Sequence, residues 1–412
     1  MARGPTERAA AAERVPLSAI RAKVDQTAAA GEWPSRPQGG SVIEFRAVTK
    51  RFDDGTVAVD HLDLSVAAGT ITVFVGPSGC GKTTSLRMVN RMVEPTSGTV
   101  LVDGVDVRGV DPATLRRGIG YVIQQAGLFP HRTVLDNVAT VPLLSGWTRR
   151  KARARAAELL ELVGLPRELG SRYPVQLSGG QQQRVGVARA LAADPPVLLM
   201  DEPFSAVDPV VREGLQDELL RLQAELDKTI VFVTHDIDEA VKIGERVAVF
   251  RQGGRLVQYA EPDELLSRPA DEFVSSFVGR DRGYRRLSFV EGTGIEPREV
   301  PTAREEAVAG ERVAPDAWTL VLDGEDRPRG WLPPRSTGDS APPAERVLPG
   351  GSLYTRGTPL RGALDAALSS PSGLGVVVEE DGRYAGAVTA EEVLAALREH
   401  RVGPEEHTGG TR

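Results

Sequence analysis

The sequence contains very little cysteine and no long apolar segment. Cys80 is its single cysteine in 412 residues, which excludes a disulfide within the chain and a zinc site built from several thiolates. No window approaches the roughly 20 consecutive apolar residues that a membrane-spanning helix requires. If the protein works at a membrane, we expect other chains to form the path through it.

Residues 1–40 lack the apolar core of a secretory signal and offer only alanines interrupted by charges. Together with the single cysteine, this predicts a reducing, cytoplasmic setting. The same segment has helix-forming residues without a clear apolar stripe, and it ends in a stretch rich in Gly and Pro. We expect a disordered extension or a frayed helix there.

The overall charge balance is acidic, with a formal charge of -7 and a pI of about 5.5. This balance does not support a general attraction to nucleic acid or to anionic lipid, and we expect no nucleic-acid partner. Residues 283–412 carry 15 Arg and 21 Asp plus Glu. The acidity is therefore concentrated in that part of the chain.

From residue 41 the pattern alternates between strands and helices. Residues 71–90 pass from an apolar strand through a glycine-rich turn into a helix, and the alternation continues to about residue 280. Strands that alternate with helices predict βαβ units and a mainly parallel sheet covered on both faces. We therefore predict an α/β domain at residues 41–280.

The Pro- and Gly-rich region that follows contains a weak internal repeat. Residues 319–332 align without gaps on residues 375–388, and each copy reads as a strand, an acidic turn and a second strand. We predict a small α+β pair of such units at residues 283–400 and a disordered tail at residues 401–412.

A glycine-rich loop between an apolar strand and a helix is the strongest chemical signal. It fits the phosphate-loop pattern, in which glycines let successive N–H groups point at phosphates and the helix N-terminus adds a favourable dipole. Its lysine supplies a positive charge and its first threonine a hydroxyl for Mg²⁺. A glycine-rich turn that fits by chance is disfavoured by this context. The predicted ATP-binding residues here are Gly76, Pro77, Ser78, Gly79, Cys80, Gly81, Lys82, Thr83 and Thr84.

The cysteine of this loop has two interpretations. Cys80 is either a thiolate activated by Lys82 and the helix dipole or a small filling residue, and we favour the second.

The apolar strand at residues 197–202 ends in two carboxylates. A buried strand carries acidic residues only where its end forms part of a functional site. Asp201 is suited to hold Mg²⁺ through its water shell, and Glu202 to polarise an attacking water. A pair of acids after a strand is common by chance, but not at this distance beyond a phosphate loop.

A second glycine-rich segment precedes another helix. A serine cap and two glycines, in Leu177-Ser178-Gly179-Gly180-Gln181, expose backbone donors at the helix N-terminus. Here the sequence closely resembles the ABC ATPases, whose signature is LSGGQ and whose cassette residues 41–277 cover completely. The resemblance implies a phosphate-loop NTPase fold of the ABC type.

The resemblance assigns further positions. Phe52 is similar to the aromatic residue that stacks on adenine, although alone it would more often be a core residue. Gln124 matches the glutamine that reaches Mg²⁺ and the attacking water. Residues 205–208 resemble the SALD loop that couples two subunits through Asp208, with Val207 in place of the usual Leu. His235 matches the switch histidine that contacts the γ-phosphate, whereas a lone histidine is usually structural.

The chain has one phosphate loop and one signature. In the ABC family each ATP lies between the phosphate loop of one subunit and the signature of the other. The resemblance therefore implies a head-to-tail dimer of two copies, with ATP and Mg²⁺ as cofactors. It also implies transmembrane permease subunits as partners, an extracytoplasmic substrate-binding protein acting indirectly, and a peripheral location on the cytoplasmic face of the membrane.

The amino-acid sequence between the motifs is similar to that of ATP-binding subunits of glycine betaine, carnitine and choline importers. The similar segments are residues 88–107, 111–131 and 275–288. The repeat resembles the pair of CBS modules with which these subunits often end. Such a pair would sense ionic strength, bind a nucleotide or be vestigial. Because this region is acidic and its first copy is degenerate, all three roles remain alternatives.

Two other functions remain as alternatives. One keeps the importer but changes the cargo to another amine, a betaine-like compound or an amino acid. The other is a soluble ABC ATPase acting on ribosomes or DNA, which usually carries two cassettes or long heptad stretches, and this chain has neither.

Overall fold

The computed structural model describes residues 42–124, 127–205, 207–226, 228–309, 316–335 and 342–401. The extension predicted at residues 1–40 lies outside these ranges, and so does the predicted tail beyond residue 401. Residue 206 of the predicted coupling loop is also outside them.

The chain divides into two compact units between Pro262 and Asp263. The sequence analysis ends the ATPase domain at residue 280, whereas the helix Glu272–Val278 belongs to the second compact unit. The domain bounds stay a prediction. Among the described residues, no helix combines the length and apolar character needed to cross a membrane.

The first unit contains ten strands among its described residues: β1 Ile43–Arg51, β2 Val57–Val66, β3 Ile71–Val75, β4 Ser97–Val102, β5 Val105–Asp106, β6 Ile119–Val122, β7 Val197–Asp201, β8 Thr229–Val233, β9 Arg246–Arg251 and β10 Arg255–Ala260. Its helices are α1 Lys82–Val89, α2 Pro112–Arg117, α3 Val134–Val138, α4 Thr140–Leu144, α5 Arg149–Leu162, α6 Gly179–Leu191, α7 Pro209–Leu226 and α8 Ile237–Ile243, with 3-10 turns at Val107–Gly109, Arg167–Ser171 and Pro174–Gln176.

A six-stranded sheet in the order β10-β9-β3-β8-β7-β6 carries the chemistry of this unit. Its strands are parallel except for the antiparallel pair of β10 and β9. All five residues of β3, β7 and β8 are buried, as expected for strands covered on both faces. This confirms the predicted α/β fold.

An antiparallel sheet in the order β2-β1-β4-β5 lies beside it. Leu62, Leu64 and Val66 of β2 are buried while the residues between them are exposed, the period-two pattern of a strand with one solvated face. These side chains join Phe74 and Phe250 of the parallel sheet in one apolar core. The core holds β3, and with it the loop that follows β3, in a fixed place.

The second unit is built from short helices and two small sheets. Its helices are α9 Pro262–Ser267, which begins at the boundary, α10 Glu272–Val278, α11 Arg282–Arg286, α12 Glu305–Ala309, α13 Leu360–Ser369 and α14 Ala390–Arg401. Its strands are β11 Thr302–Arg304, β12 Thr319–Leu322, β13 Pro328–Leu332, β14 Leu348–Pro349, β15 Leu353–Thr355, β16 Leu374–Val378 and β17 Tyr384–Thr389, with 3-10 turns at Leu287–Phe289, Gly292–Gly294 and Pro343–Arg346.

The internal repeat is visible in the strand register. Thr319 pairs with Leu332 in the first copy, and Gly375 pairs with Val388 in the second, as the gapless alignment requires. Each hairpin also has a parallel strand on its first member, β11 on β12 and β15 on β16. The two copies therefore share a β-α-β-β order, and the five-residue α12 against the ten-residue α13 accounts for the weakness of the first copy.

The acidic turns of the two hairpins have the same backbone conformation. Asp326 has φ 64° and its counterpart Gly382 has φ 84°, so the first copy places a non-glycine residue in the left-handed region. Aspartate tolerates this conformation better than most residues. The sequence predicts this turn, but not its strained residue.

Trp331 is the largest fully buried side chain in the described part of the protein, and it packs between the strands of both copies. We expect Trp331→Ala to lower the free energy of unfolding by about 3–5 kcal/mol, because the cavity adds to the lost burial. Urea unfolding of the full chain, followed by circular dichroism, measures this change. Trp318→Ala is the matched control, since Trp318 is only half-buried, and equal losses for the two variants would contradict this packing.

Candidate active site

The phosphate loop leaves the carboxyl end of β3 and closes tightly onto neighbouring backbone. A Cβ on Gly76 would lie 2.2 Å from the Phe250 carbonyl oxygen, and one on Gly81 would lie 2.1 Å from the Ala58 carbonyl oxygen. Both residues also have positive φ values, 152° and 95°. Any side chain at either position would displace the loop, so the glycines predicted from the motif are required by packing as well as by conformation.

Lys82 is the first residue of α1 and is 5% exposed. Its ammonium group donates to the Gly76 carbonyl at 2.7 Å and to the Pro77 carbonyl at 3.0 Å. A buried cation needs such partners. The lysine therefore lies across the loop, while Ser78 and Gly79 on the rim are exposed.

Cys80 is fully buried in the apolar core beneath the loop. Burial raises the pKa of its thiol, which outweighs the opposing effect of the Lys82 charge. A thiol held neutral is a poor nucleophile. The favoured interpretation as a small filling residue agrees with this environment.

Asp201 ends β7, is 3% exposed and accepts hydrogen bonds at both carboxylate oxygens. Its Oδ1 accepts from the Thr83 hydroxyl at 2.7 Å, so the two oxygens predicted to hold Mg²⁺ are adjacent. Its Oδ2 faces the Tyr121 hydroxyl at 3.3 Å and the Arg87 guanidinium at 3.4 Å. The sequence analysis missed Arg87 and Tyr121. Tyr121 could have been predicted as a partner of Asp201, because it carries a hydroxyl group and lies in β6, the strand that pairs with β7.

The oxygen donors of this site fit a magnesium ion. Mg²⁺ is usually held by one or two carboxylates together with substrate phosphates and water, which a hydroxyl and one carboxylate next to a phosphate loop would supply. No cluster of three or more His, Cys, Asp or Glu residues that could hold a metal occurs in the described ranges. One hydroxyl and one carboxylate beside a phosphate loop are a donor set suited to a metal that is bound together with a nucleotide.

The three residues predicted to be catalytic lie next to one another, with Glu202 between Gln124 and His235. Its Oε2 accepts a hydrogen bond from Gln124 Nε2 at 3.2 Å and lies 3.3 Å from His235 Nδ1. The backbone of Glu202 is left-handed, with φ 46°, and its N–H donates to the Val233 carbonyl of β8 at 2.9 Å. Such strain in a non-glycine residue persists only when its surroundings fix it, and it is concentrated at functional sites.

Parallel pairing explains why these groups meet. Gln124, Glu202 and His235 follow β6, β7 and β8, and the phosphate loop follows β3, which is the neighbour of β8. The carboxyl ends of adjacent parallel strands lie at one edge of the sheet. Gln124 and Glu202, which are 78 positions apart in sequence, are thereby brought within hydrogen-bonding distance.

The signature segment begins α6 with reciprocal capping bonds. Ser178 Oγ accepts from the Gln181 N–H at 3.3 Å, and Gln181 Oε1 accepts from the Ser178 N–H at 3.0 Å. Ser178 and Gly179 are exposed, while a Cβ on Gly180 would lie 3.1 Å from Val211 of α7. The helix end is thus preformed, and its rim is open to solvent.

The two remaining predicted residues flank these elements. Phe52 follows β1, is 41% exposed and lies with its ring centre 5.2 Å from Lys50 Nζ. Asp208 is exposed and directly precedes α7, and its carbonyl accepts from the Arg212 N–H at 2.8 Å. An exposed aromatic ring is available for stacking, and the roles of both residues stay predictions.

Comparison with known proteins identifies the family. The ABC transporter family matches residues 59–205. The chain is 44% identical, over 372 residues, to the osmoprotectant import ATP-binding protein OsmV of Salmonella typhimurium, a match that covers 87% of this chain and 97% of that protein. This chain belongs to the ATP-binding proteins of ABC transporters. It is an ATP hydrolase coupled to transport.

Two further relatives match more than half of the chain. The glycine betaine/carnitine/choline transport ATP-binding protein OpuCA of Bacillus subtilis is 52% identical over 241 residues, which are 58% of this chain and 63% of that protein. The dimeric post-hydrolysis structure of the ATP-binding cassette MJ0796, bound to ADP and Pi, is 35% identical with a TM-score of 0.50 and covers 53% of this chain and 98% of that chain. These matches confirm the predicted ABC ATPase fold and nucleotide binding.

We expect Lys82→Ala to weaken nucleotide binding by about tenfold or more, because a charge-assisted hydrogen bond contributes about 1.5–3 kcal/mol. Titration with a fluorescent ATP analogue measures this affinity. Lys151→Ala is the control for general loss of positive charge, since Lys151 lies in α5, where its ammonium group packs on the Trp147 ring at 4.0 Å. Equal affinities of Lys82→Ala and the wild type would contradict the assignment of the loop.

Proposed function

We propose that this ATPase powers the import of osmoprotectants of the glycine betaine, choline and carnitine type. The observation that carries the cargo assignment is the similarity to OsmV, which covers 87% of this chain and therefore extends into the second unit. OpuCA is named for glycine betaine, carnitine and choline transport. The amino-acid sequence between the motifs and the names of these relatives indicate the same class of cargo.

In the proposed mechanism the phosphate loop and Lys82 bind the triphosphate of ATP. Thr83, Gln124 and Asp201 would hold Mg²⁺, which neutralises developing charge on the phosphates. Glu202 orients and polarises the attacking water, and Gln124 and His235 fix its carboxylate from two sides. Phe52 would stack on the adenine ring.

The proposed working state is a head-to-tail dimer of two copies. The exposed donors at Ser178 and Gly179 of one copy would grip the γ-phosphate bound by the other, and Asp208 would couple the two sites. Such contacts exist only in the closed dimer, so ATP would favour closure and hydrolysis would release it. The dimeric structure of the related cassette MJ0796 supports this proposal.

The proposed permease contact is the surface that follows Gln124. Phe129 is 40% exposed, and Leu143 and Leu144 of the nearby helix α4 are 37% and 66% exposed. Exposed apolar groups of this kind suit a partner helix. We propose peripheral attachment to the cytoplasmic face of the membrane through these subunits, with substrate selection by an extracytoplasmic binding protein.

The second unit is proposed to be a degenerate CBS-like pair. Its matching β-α-β-β copies support this interpretation, and the roles proposed for such a pair are a sensor of ionic strength, a nucleotide site or a vestige.

The proposed cargo is tested by purifying the protein from its native membrane and measuring uptake. A hydrophobic permease should copurify, and the reconstituted complex should take up labelled glycine betaine or choline in an ATP-dependent manner. Transport of proline or another amine alone would overturn the cargo assignment. Recovery with ribosomes or DNA would overturn the transporter itself.

We expect Glu202→Gln to abolish turnover almost completely while ATP still binds, because an amide cannot take up the proton of the attacking water. The variant should accumulate as an ATP-bound dimer in light scattering. Adding Ser178→Arg should prevent this dimer without loss of binding to the phosphate loop. Unchanged hydrolysis by Glu202→Gln would contradict the assignment.

A further inference from the structure

Two contacts tie α7 to the residues that follow His235. Arg212 NH1 lies 3.7 Å from Asp236 Oδ2, and Gln216 Nε2 donates to Glu239 Oε1 at 3.3 Å. Arg212 and Gln216 are four residues apart and therefore share one face of α7. One helix face thus contacts both the residue after His235 and the helix that follows it.

Glu239 is the unusual member of this set because it is a carboxyl group only 6% exposed. Burial raises its pKa, and hydrogen bonds from Thr234 and Gln216 oppose this rise. A buried carboxyl group is costly unless it is hydrogen-bonded. Its partners are therefore important to the fold of the loop, and Thr234, the residue before His235, is one of them.

Internal bonds make the loop a rigid segment. The Thr234 N–H donates to the Phe74 carbonyl of β3 at 3.1 Å, and the Thr234 hydroxyl accepts from the Asp236 N–H at 3.0 Å. Asp236 Oδ1 in turn caps α8 by accepting from the Asp238 N–H at 2.8 Å. Both backbone neighbours of His235 are consequently fixed, whereas its imidazole is 55% exposed and extends to Glu202.

We propose that Gln216 and Glu239 are positioning residues for His235, and that they link its placement to α7, the helix that begins directly after Asp208. Their hydrogen bond joins α7 to α8 directly after the His235 loop, so they act on the imidazole through that loop. The inference rests on the catalytic role proposed for His235. Under this proposal, a shift of the loop that contains Asp208 displaces α7, and the displacement of α7 moves the His235 imidazole.

Glu239→Ala, Glu239→Gln and Gln216→Ala test the proposal. A misplacement of about 1 Å lowers catalysis by up to about 100-fold, so we expect Glu239→Ala and Gln216→Ala to lower kcat by about tenfold with little change in the KM for ATP. Glu239→Gln keeps an acceptor oxygen for Gln216 and should restore most of kcat. Gln216→Ala does not change the charge of the buried site. It therefore still tests the proposal if Glu239→Ala fails to fold.

Lys242→Gln is the matched control. Lys242 also joins α8 to α7, through Asp217 at 2.8 Å, but this pair is on the solvent side of the two helices. We expect its kcat to equal that of the wild type. A tenfold loss in this control would mean that any weakening of the α7–α8 contact suffices, and it would overturn the specific role of Gln216 and Glu239.

The imidazole itself provides a readout that a purely structural role would not move. The chain has five histidines, so selective isotope labelling gives few imidazole signals. The His235 signal should shift in Glu239→Ala and Gln216→Ala, but not in Lys242→Gln. An unshifted His235 signal together with a lowered melting temperature would show a structural role alone and overturn the proposal.

His235→Ala separates this proposal from the proposed function. If His235→Ala lowers kcat and Glu239→Ala does not, the link to α7 is wrong while the role of His235 stands. If His235→Ala leaves kcat unchanged, the role of His235 is wrong, and the positioning proposal falls with it. Where both lower kcat, the loss in the double variant should equal that of His235→Ala, because residues that act through one group are not additive.

Discussion

Parallel pairing of β3, β8, β7 and β6 is the constraint on which the site depends. Each of these strands is followed by a group predicted to handle phosphate, metal or water, and the register brings all four groups to one edge. The strands are buried on both faces, so their ends cannot shift independently. The tight contact of Gly76 and Gly81 with neighbouring backbone then fixes the loop against this edge.

The polar groups at this edge satisfy one another by hydrogen bonds. Lys82 is bonded to loop carbonyls, Asp201 to Thr83, and Glu202 to Gln124. Each of these side chains is therefore held in position by a neighbour that belongs to the same site.

Most of the site could be predicted from the sequence, because its motifs combine a local conformation with a residue that carries chemistry. The gapless repeat predicted two equivalent strand-turn-strand units, and the equivalent pairs Thr319–Leu332 and Gly375–Val388 agree with it. The partners of Asp201 and Glu239 could not be predicted in this way. Arg87 and Gln216 are ordinary residues on helices, and only the packing of those helices makes them neighbours of a carboxylate.

The central claim is that a second copy completes the site, and mixing two inactive variants tests it most directly. Lys82→Ala disables the phosphate loop, and Gly179→Asp disables the signature. In a mixed dimer, one interface combines the intact loop of one chain with the intact signature of the other. Mixing should restore ATP hydrolysis, up to about a quarter of the wild-type rate for random pairing. No restored hydrolysis at any mixing ratio, although mixed dimers form, would contradict the account.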